Sequence, residues 1–283
     1  MCDNYIESDN MSKYKIIFVD IDDTLNPSNG TISEKTKAMM DKLKEHHIKV
    51  VVNTGRSAQY AINKSKEGNL SDYIISSNGS EVYNYKTKEV IYSRSIPTEK
   101  VKEVYEYCNN YKLTMIINSL DKRYINTNEY KYNNEPAEYF EDIDKLLSKI
   151  EVHQIVILSN NFDRMLVIPR IFKERFPELR IIHSSVGLIE DHRVKNKEYY
   201  HDIVLGNVTK STGIVELLDH LKIKSEEAIS IGNGYDDICM TEVVGTSIAV
   251  GNAVSPLKET SDYITKNVEE DGVAEILEKL VFD

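Results

Sequence analysis

Four short segments of this 283-residue chain hold side chains whose types and spacing suit chemistry on a charged group. The first is Asp20-Ile21-Asp22-Asp23-Thr24, three carboxylates in four residues, directly after an apolar run over 14–20. Carboxylates this close repel one another. Beside hydrophobic structure they hold a divalent cation or act as a pair with separated pKa values. An exposed acidic turn is the plain alternative, and the apolar strand before it argues against that. The i, i+2 spacing lets Asp20 and Asp22 project from one side of the turn. The second segment is Thr54-Gly55-Arg56, at the end of the β-branched run 48–53. The Thr54 hydroxyl and the Gly55 amide suit a phosphoryl oxygen, although a helix cap or turn has the same composition. The third is Lys210, in the first turn of a helical pattern. The macrodipole disfavours a cation there, so the ammonium is expected to answer a nearby anion. The fourth is Gly232-Asn233-Gly234-Tyr235-Asp236-Asp237, an acid-bearing turn after a short strand. Asp236 and Asp237 could complete a Mg²⁺ site there. Together these supply a nucleophile candidate, a second acid, a hydroxyl, a cation and a metal loop. Phosphoryl transfer requires such a set, because its catalysis is positioning plus neutralisation of charge.

The elements around these segments explain how they would meet. Runs 14–20, 48–53 and 72–76 read as strands, with helices over 33–47 and 57–67 between them. Ser33 is placed to cap the first helix, and Thr36, Met39, Met40 and Leu43 mark its buried face. Continuous apolar strands alternating with helices predict a parallel sheet covered on both faces. Ligands of such sheets bind beyond the carboxyl ends of the strands. After Gly79 the texture changes. Segments 80–84 and 89–94 read as a hairpin. Helices follow near 98–111, 136–150 and 161–176, with strands at 113–118, 153–159 and 180–183. From about Ile203 the strand–helix rhythm resumes, with a helix at 209–221, strands at 228–231 and 247–250, and a closing helix at 272–281.

Composition bounds the partners. Apolar residues are 41% and charged residues 29%, as in a globular protein. The formal net charge of −11 repels nucleic acid and anionic membranes, so any phosphate site must be built locally. Cys2, Cys108 and Cys239 are widely spaced and odd in number, which argues against a disulfide framework. His46, His47, His183, His192 and His201 lack ligand spacing for zinc. The polar, acidic first dozen residues do not read as a signal peptide, and Met11 is a candidate alternative start. No apolar run reaches the ~20 residues of a membrane span. A cytoplasmic location is expected. Oligomeric state leaves no signature.

With these residues in hand, the sequence resembles the haloacid dehalogenase-like (HAD) hydrolases, most of all their Cof-type subgroup of sugar-phosphate and related phosphatases. The family's D-x-D-x-T is matched by Asp20–Thr24, its T-G-R by Thr54-Gly55-Arg56, and its S-N-G turn by Ser77-Asn78-Gly79. Its third-motif lysine is matched by Lys210, and its G-D-x-x-N-D by Gly232–Asp237. Order and spacing agree from about Lys13 to the C-terminus. In the fourth motif Asn233 stands where the family has its leading Asp, and Asp236 where it has Asn. The resemblance implies that Asp20 is the nucleophile and Asp22 the general acid and base, while Thr54, Gly55 and Lys210 hold the phosphoryl oxygens. It implies Mg²⁺ on Asp20, the Asp22 carbonyl and the fourth motif, with Asn233, Asp236 and Asp237 all open as ligands. Response-regulator receivers share several of these residue types but place the acceptor Asp in a later strand.

The resulting expectation is an α/β protein. A Rossmann-like parallel-sheet core (11–81 and 203–283) carries an inserted α+β cap (82–202) that closes near Asn78-Gly79 and Leu205-Gly206. The expected function is a Mg²⁺-dependent phosphomonoester phosphatase of small phosphorylated metabolites, working through an aspartyl-phosphate. A phosphotransferase or phosphomutase of the same fold, and a non-catalytic phosphate- or metal-binding relative, are the alternatives.

Overall fold

In the computed structural model, which describes residues 12–27, 30–120, 122–128, 135–183 and 199–283, β1 (Ile16–Val19) is buried from end to end. Ile17 and Val19 enter one apolar core, and Ile16 and Phe18 enter another. Burying side chains of this size contributes roughly 1.5–3 kcal/mol each, and only a strand covered on both faces does so at every position. The chain continues through α1 (Glu34–Glu45), β2 (Lys49–Asn53), α2 (Ala58–Glu67) and β3 (Tyr73–Ser76). Ser33 caps α1 by accepting from the Thr36 amide, and Ser57 caps α2 by accepting from the Tyr60 amide. Thr36, Met39, Met40 and Leu43 form the buried face of α1, as their spacing predicts.

A hairpin, β4 (Glu81–Asn84) and β5 (Glu89–Ser93), follows. Next come α3 (Thr98–Asn110), β6 (Thr114–Asn118), β7 (Arg123–Ile125), β8 (Glu138–Tyr139) and α4 (Ile143–Leu147). Then come β9 (Gln154–Ser159), α5 (Phe162–Arg175), β10 (Leu179–His183) and β11 (Tyr199–Leu205). The last stretch holds α6 (Lys210–Leu221), β12 (Ala228–Gly232), α7 (Ile238–Thr241), β13 (Thr246–Ala249), α8 (Ser255–Thr260), β14 (Tyr263–Ile264) and α9 (Gly272–Val281).

The first sheet runs β14-β13-β12-β1-β2-β3-β4-β5. It is parallel from β14 to β3, and β4 and β5 add antiparallel pairs. The second runs β10-β11-β9-β6-β7-β8. Helices α3, α4 and α5 cover one face of it through Val101, Val104, Leu147, Met165 and Phe172. Its opposite face carries a small apolar patch, Ile116, Ile125, Val156 and Leu158. By strand alternation Asn118, Arg123, Gln154 and Asp202 share that face.

Three expectations change. The hairpin pairs onto β3 and buries Val82 and Tyr83 in the cores of the first sheet, so that sheet continues past 82, to Ser93. Conversely β11 pairs with β9 and β10, so the second sheet keeps the chain to Leu205 rather than releasing it at 203. The helix expected over 136–150 is broken. Phe140 donates its amide to Ile125 in continuation of the β7–β8 pairing, and Asp142 then caps a short new helix. Among the described residues no helix is long and apolar enough to cross a membrane. Cys108 and Cys239 are free thiols; Cys2, Met11 and His192 lie outside the described residues.

The return of the chain into α6 passes tightly over the turn after β3. Gly79 sits at φ +94°, and a Cβ there would stand 2.0 Å from the Thr209 carbonyl oxygen. Gly79→Ala must therefore push α6 away or strain the turn. A loss of about 2–4 kcal/mol is expected from urea unfolding.

Candidate active site

Asp20 leaves the carboxyl end of β1, between β12 and β2, and its amide donates to the Ile231 carbonyl at 3.0 Å. Lys210 opens α6, whose Thr209 forms a capping box with Thr212. The Lys210 carbonyl accepts from buried Asn53 Nδ2 at 3.1 Å. So held, the Lys210 ammonium lies 2.7 Å from Asp20 Oδ1, 2.6 Å from Asp237 Oδ1 and 2.8 Å from Asp236 Oδ2. Its side chain is 2% exposed, which overturns a solvated surface lysine. The other oxygen of Asp237 accepts the Asn233 and Gly234 amides, at 2.9 and 2.8 Å. Asp237 therefore fixes the shape of the Gly-rich loop, with both oxygens engaged. The Asn233 carbonyl is tied to the Val254 amide.

Three carboxylates around one ammonium, Asp20 and Asp237 buried and Asp236 partly exposed, leave the cluster short of positive charge. Burial pushes Asp20 well above the ordinary carboxylate range, against the pull of Lys210 and with the help of Asp237 and Asp236. Burial raises Asp237 in the same way. For Asp236 burial is outweighed by Lys210, and the carboxyl is held below its usual value. Burial alone would lower Lys210, but Asp20, Asp236 and Asp237 keep it well above. An all-oxygen donor set with a deficit of positive charge fits a hard divalent cation. Among the described residues no three His, Cys, Asp or Glu side chains are gathered on a metal-sized centre; these carboxylates gather on the ammonium instead.

Thr54 ends β2 on the same edge and is fully buried. Its hydroxyl accepts the Arg56 amide at 3.1 Å, and its carbonyl accepts the Asn78 amide at 3.1 Å. Asp22 faces away from the Lys210 cluster, toward α2. Arg56 Nε lies 2.9 Å from Asp22 Oδ2, and the Tyr60 hydroxyl donates to Asp22 Oδ1 at 3.3 Å. Burial and the Asp22 charge push the Tyr60 phenol up, so it stays a donor. Asp23 takes positive φ and uses its amide on the Asn26 carbonyl, which turns it out of the group.

The structure adds residues that sequence reasoning did not select. From the second sheet, Gln154 Nε2 donates to the Gly55 carbonyl at 2.9 Å. Asn78, itself at positive φ, donates to Asp202 Oδ2 at 3.3 Å. Ser57 Oγ donates to Glu135 Oε2 at 2.5 Å. Asn53 and Gly79 position Lys210 as described. The S-N-G turn was the one available signal among these. The rest are brought in by pairing over long sequence distances.

A family model for haloacid dehalogenase-like hydrolases matches residues 17–277, and the chain belongs to that family. The comparison bears out the expected family and its Cof-type kinship, and the parallel-rich α/β architecture agrees. The chain is 25% identical over 280 residues to a putative phosphatase of Haemophilus influenzae, covering 94% of this chain and 98% of that one. It is 26% identical to the chloroplastic endoribonuclease YBEY of Arabidopsis thaliana, over 95% of this chain but 47% of that one, so it spans about half of that relative. The solved HAD subclass IIB sugar phosphatase BT4131 superposes with a TM-score of 0.74 at 25% identity, over 94% of this chain and 98% of that one.

Two outcomes test the electrostatics. Lys210→Met leaves two buried carboxylates, Asp20 and Asp237, without their cation and should cost about 3–5 kcal/mol at neutral pH. Because Asp20 and Asp237 are raised, the folded variant binds protons that the unfolded chain does not. Its stability should therefore recover as pH falls toward the ordinary carboxylate range, near ~4. Asp202 is raised by burial to about 7, against the Asn78 hydrogen bond. Its stabilising contribution is full at low pH and falls, by roughly 1.4 kcal/mol per pH unit, as pH rises from ~4 toward that value. Asp202→Asn should flatten this slope in urea midpoints measured from pH 5 to 7.

Proposed function

We propose that the chain is a Mg²⁺-dependent phosphomonoesterase of small phosphorylated metabolites, sugar phosphates first among them, acting in the cytoplasm. One observation carries the reading: a buried Asp20 carboxylate held at 2.7 Å by a buried lysine at the carboxyl edge of the sheet, beside a second acid loop. Family membership supports the hydrolase class, and the sugar phosphatase neighbour supports the substrate class. With a net charge of −11, the protein must gather a phosphate locally, which this edge is built to do.

Asp20 attacks phosphorus, so that the Asp20–phosphorus bond forms as the ester oxygen–phosphorus bond breaks. Asp22 gives its proton to the leaving alkoxide, then takes one from the water that cleaves the aspartyl-phosphate. Lys210, Thr54 and the Gly55 amide hold the phosphoryl oxygens, and Lys210 orients Asp20 through its Oδ1. Asp237 keeps the Gly-rich loop in place. Asp20, the Asp22 carbonyl and the Asn233/Asp236 side of the loop would hold Mg²⁺, which when bound supplies charge neutralisation at the phosphoryl group. Residues 94–209 are the cap that shields the site from water and selects the leaving group.

Hydrolysis of p-nitrophenyl phosphate across a Mg²⁺ titration tests this. Turnover should require Mg²⁺ and fall by at least about 10³-fold in Asp20→Asn. Asn233→Asp should lower the Mg²⁺ concentration at half-maximal rate. A wild type inactive on this probe and on a panel of sugar phosphates would overturn the reading.

A further inference from the structure

We propose that Glu81 is a positioning residue for phosphate binding, acting through the turn that lies between Thr54 and Lys210. The inference rests on the phosphomonoesterase reading above. Three consecutive residues of that turn take left-handed backbone: Ser77 at φ 50°, Asn78 at φ 57° and Gly79 at φ 94°. Glycine adopts this conformation freely, whereas serine is strained in it and asparagine less so. Strain of this kind persists only where the surroundings over-determine it, and it gathers at functional sites. Ser76, Ser77 and Asn78 are buried, so their polar groups need partners inside the protein.

Glu81 supplies the partner of the two serines. It opens β4, opposite Ser76 of β3 and Ser93 of β5. Its Oε2 accepts both the Ser76 and the Ser77 hydroxyls, each at 2.8 Å. Its Oε1 lies 2.9 Å from Nδ1 of His153, whose Nε2 is 2.8 Å from Ser93 Oγ. Glu81 and His153 are both buried. A glutamate is almost never enclosed without dedicated neighbours. Here those neighbours are two hydroxyls at the start of the turn and an imidazole next to β9 of the second sheet.

The turn so held touches all three residues of the loop after β2. The Asn78 amide donates to the Thr54 carbonyl at 3.1 Å, and the Ser77 amide donates to the Arg56 carbonyl at 2.9 Å. Gly55 lies against the Asn78 side chain, where a Cβ would stand 3.0 Å from Asn78 Oδ1. On the other side Gly79 meets the Thr209 carbonyl, one residue before Lys210. The turn therefore sets the separation between Thr54 and Gly55 on one side and the start of α6 on the other. Thr54, Gly55 and Lys210 are the groups assigned to the phosphoryl oxygens. Without the Glu81 carboxyl, two buried hydroxyls lose their acceptor and the left-handed run relaxes. Thr54 and Lys210 then no longer match one phosphate, which weakens its binding in the ground state and the transition state alike.

Orthophosphate is the probe, because those groups hold it and it has no leaving group. In Glu81→Leu its inhibition constant against p-nitrophenyl phosphate hydrolysis should rise about tenfold, and KM with it, while kcat changes by less than about threefold. Glu81→Gln keeps an oxygen for both hydroxyls and should stay within about twofold of wild type on both constants. A role in stability alone lowers the active fraction, so it lowers kcat and leaves KM and the inhibition constant where they were. If Glu81→Leu does not fold, Ser77→Gly serves in its place. It removes one of the two hydroxyls without strain at positive φ and should raise both constants by a smaller factor, about threefold. Constants that stay unchanged in Glu81→Leu, or in Ser77→Gly where it stands in, overturn the inference and leave the phosphomonoesterase reading standing. Wild type inactive on p-nitrophenyl phosphate and on the sugar phosphate panel overturns both.

Discussion

The buried ammonium of Lys210 is the interaction on which the rest of this site depends. Without it, Asp20, Asp236 and Asp237 would be like charges crowded in a medium of low dielectric. With it, two loops far apart in sequence, at Asp20 and at Asp236-Asp237, are tied to one atom. The sheet supplies the meeting place. β1 and β12 are parallel neighbours, so their loops emerge at the same edge, and α6 aims its first turn at that edge. Gly79 and Asn53 are the local concessions that let α6 come close enough. A larger residue at 79, or an apolar one at 53, would disturb the ammonium before it disturbed the sheet.

The two acids of the first motif live in different environments although one residue separates them. Asp20 is answered by a lysine on α6, Asp22 by an arginine after β2 and a tyrosine on α2. Separate partners give two carboxylates separate tasks, which is how a single turn can provide both a nucleophile and a proton carrier. The loop after β2 belongs to both halves of this arrangement. Thr54 lies at the edge, while Arg56 and Ser57 reach Glu135, just before β8.

Local signals made much of this legible in the sequence. The N-caps Ser33, Ser57 and Thr209, the β-branched runs of β1 and β2, and the acid-rich turns after β1 and β12 all report on a few neighbouring residues. They suffice to bring Asp20, Thr54, Lys210 and the Gly232–Asp237 loop to one edge. The hairpin after Gly79 misleads because pairing with β3, not local texture, decides which sheet it joins. The helix expected at 136–150 fails because a strand pairing and the Asp142 cap divide it. Glu135, Gln154 and Asp202 leave no local trace, since their partners lie 78, 99 and 124 residues away.

The face of the second sheet that meets the first carries Asn118, Arg123, Gln154 and Asp202 beside two apolar clusters, around Ile116 and around Val204, and it bonds to the first sheet through Gln154, Asp202 and Glu135. The polar part of such a seam costs little to separate. Each hydrogen bond lost between the sheets is replaced by one to water, and little hydrocarbon is wetted. An apolar seam of the same area would resist opening and, once open, would present an adhesive surface to other chains. The polar bonds across this seam therefore leave less hydrocarbon to be wetted, were the sheets to part, than a wholly apolar seam of the same area would.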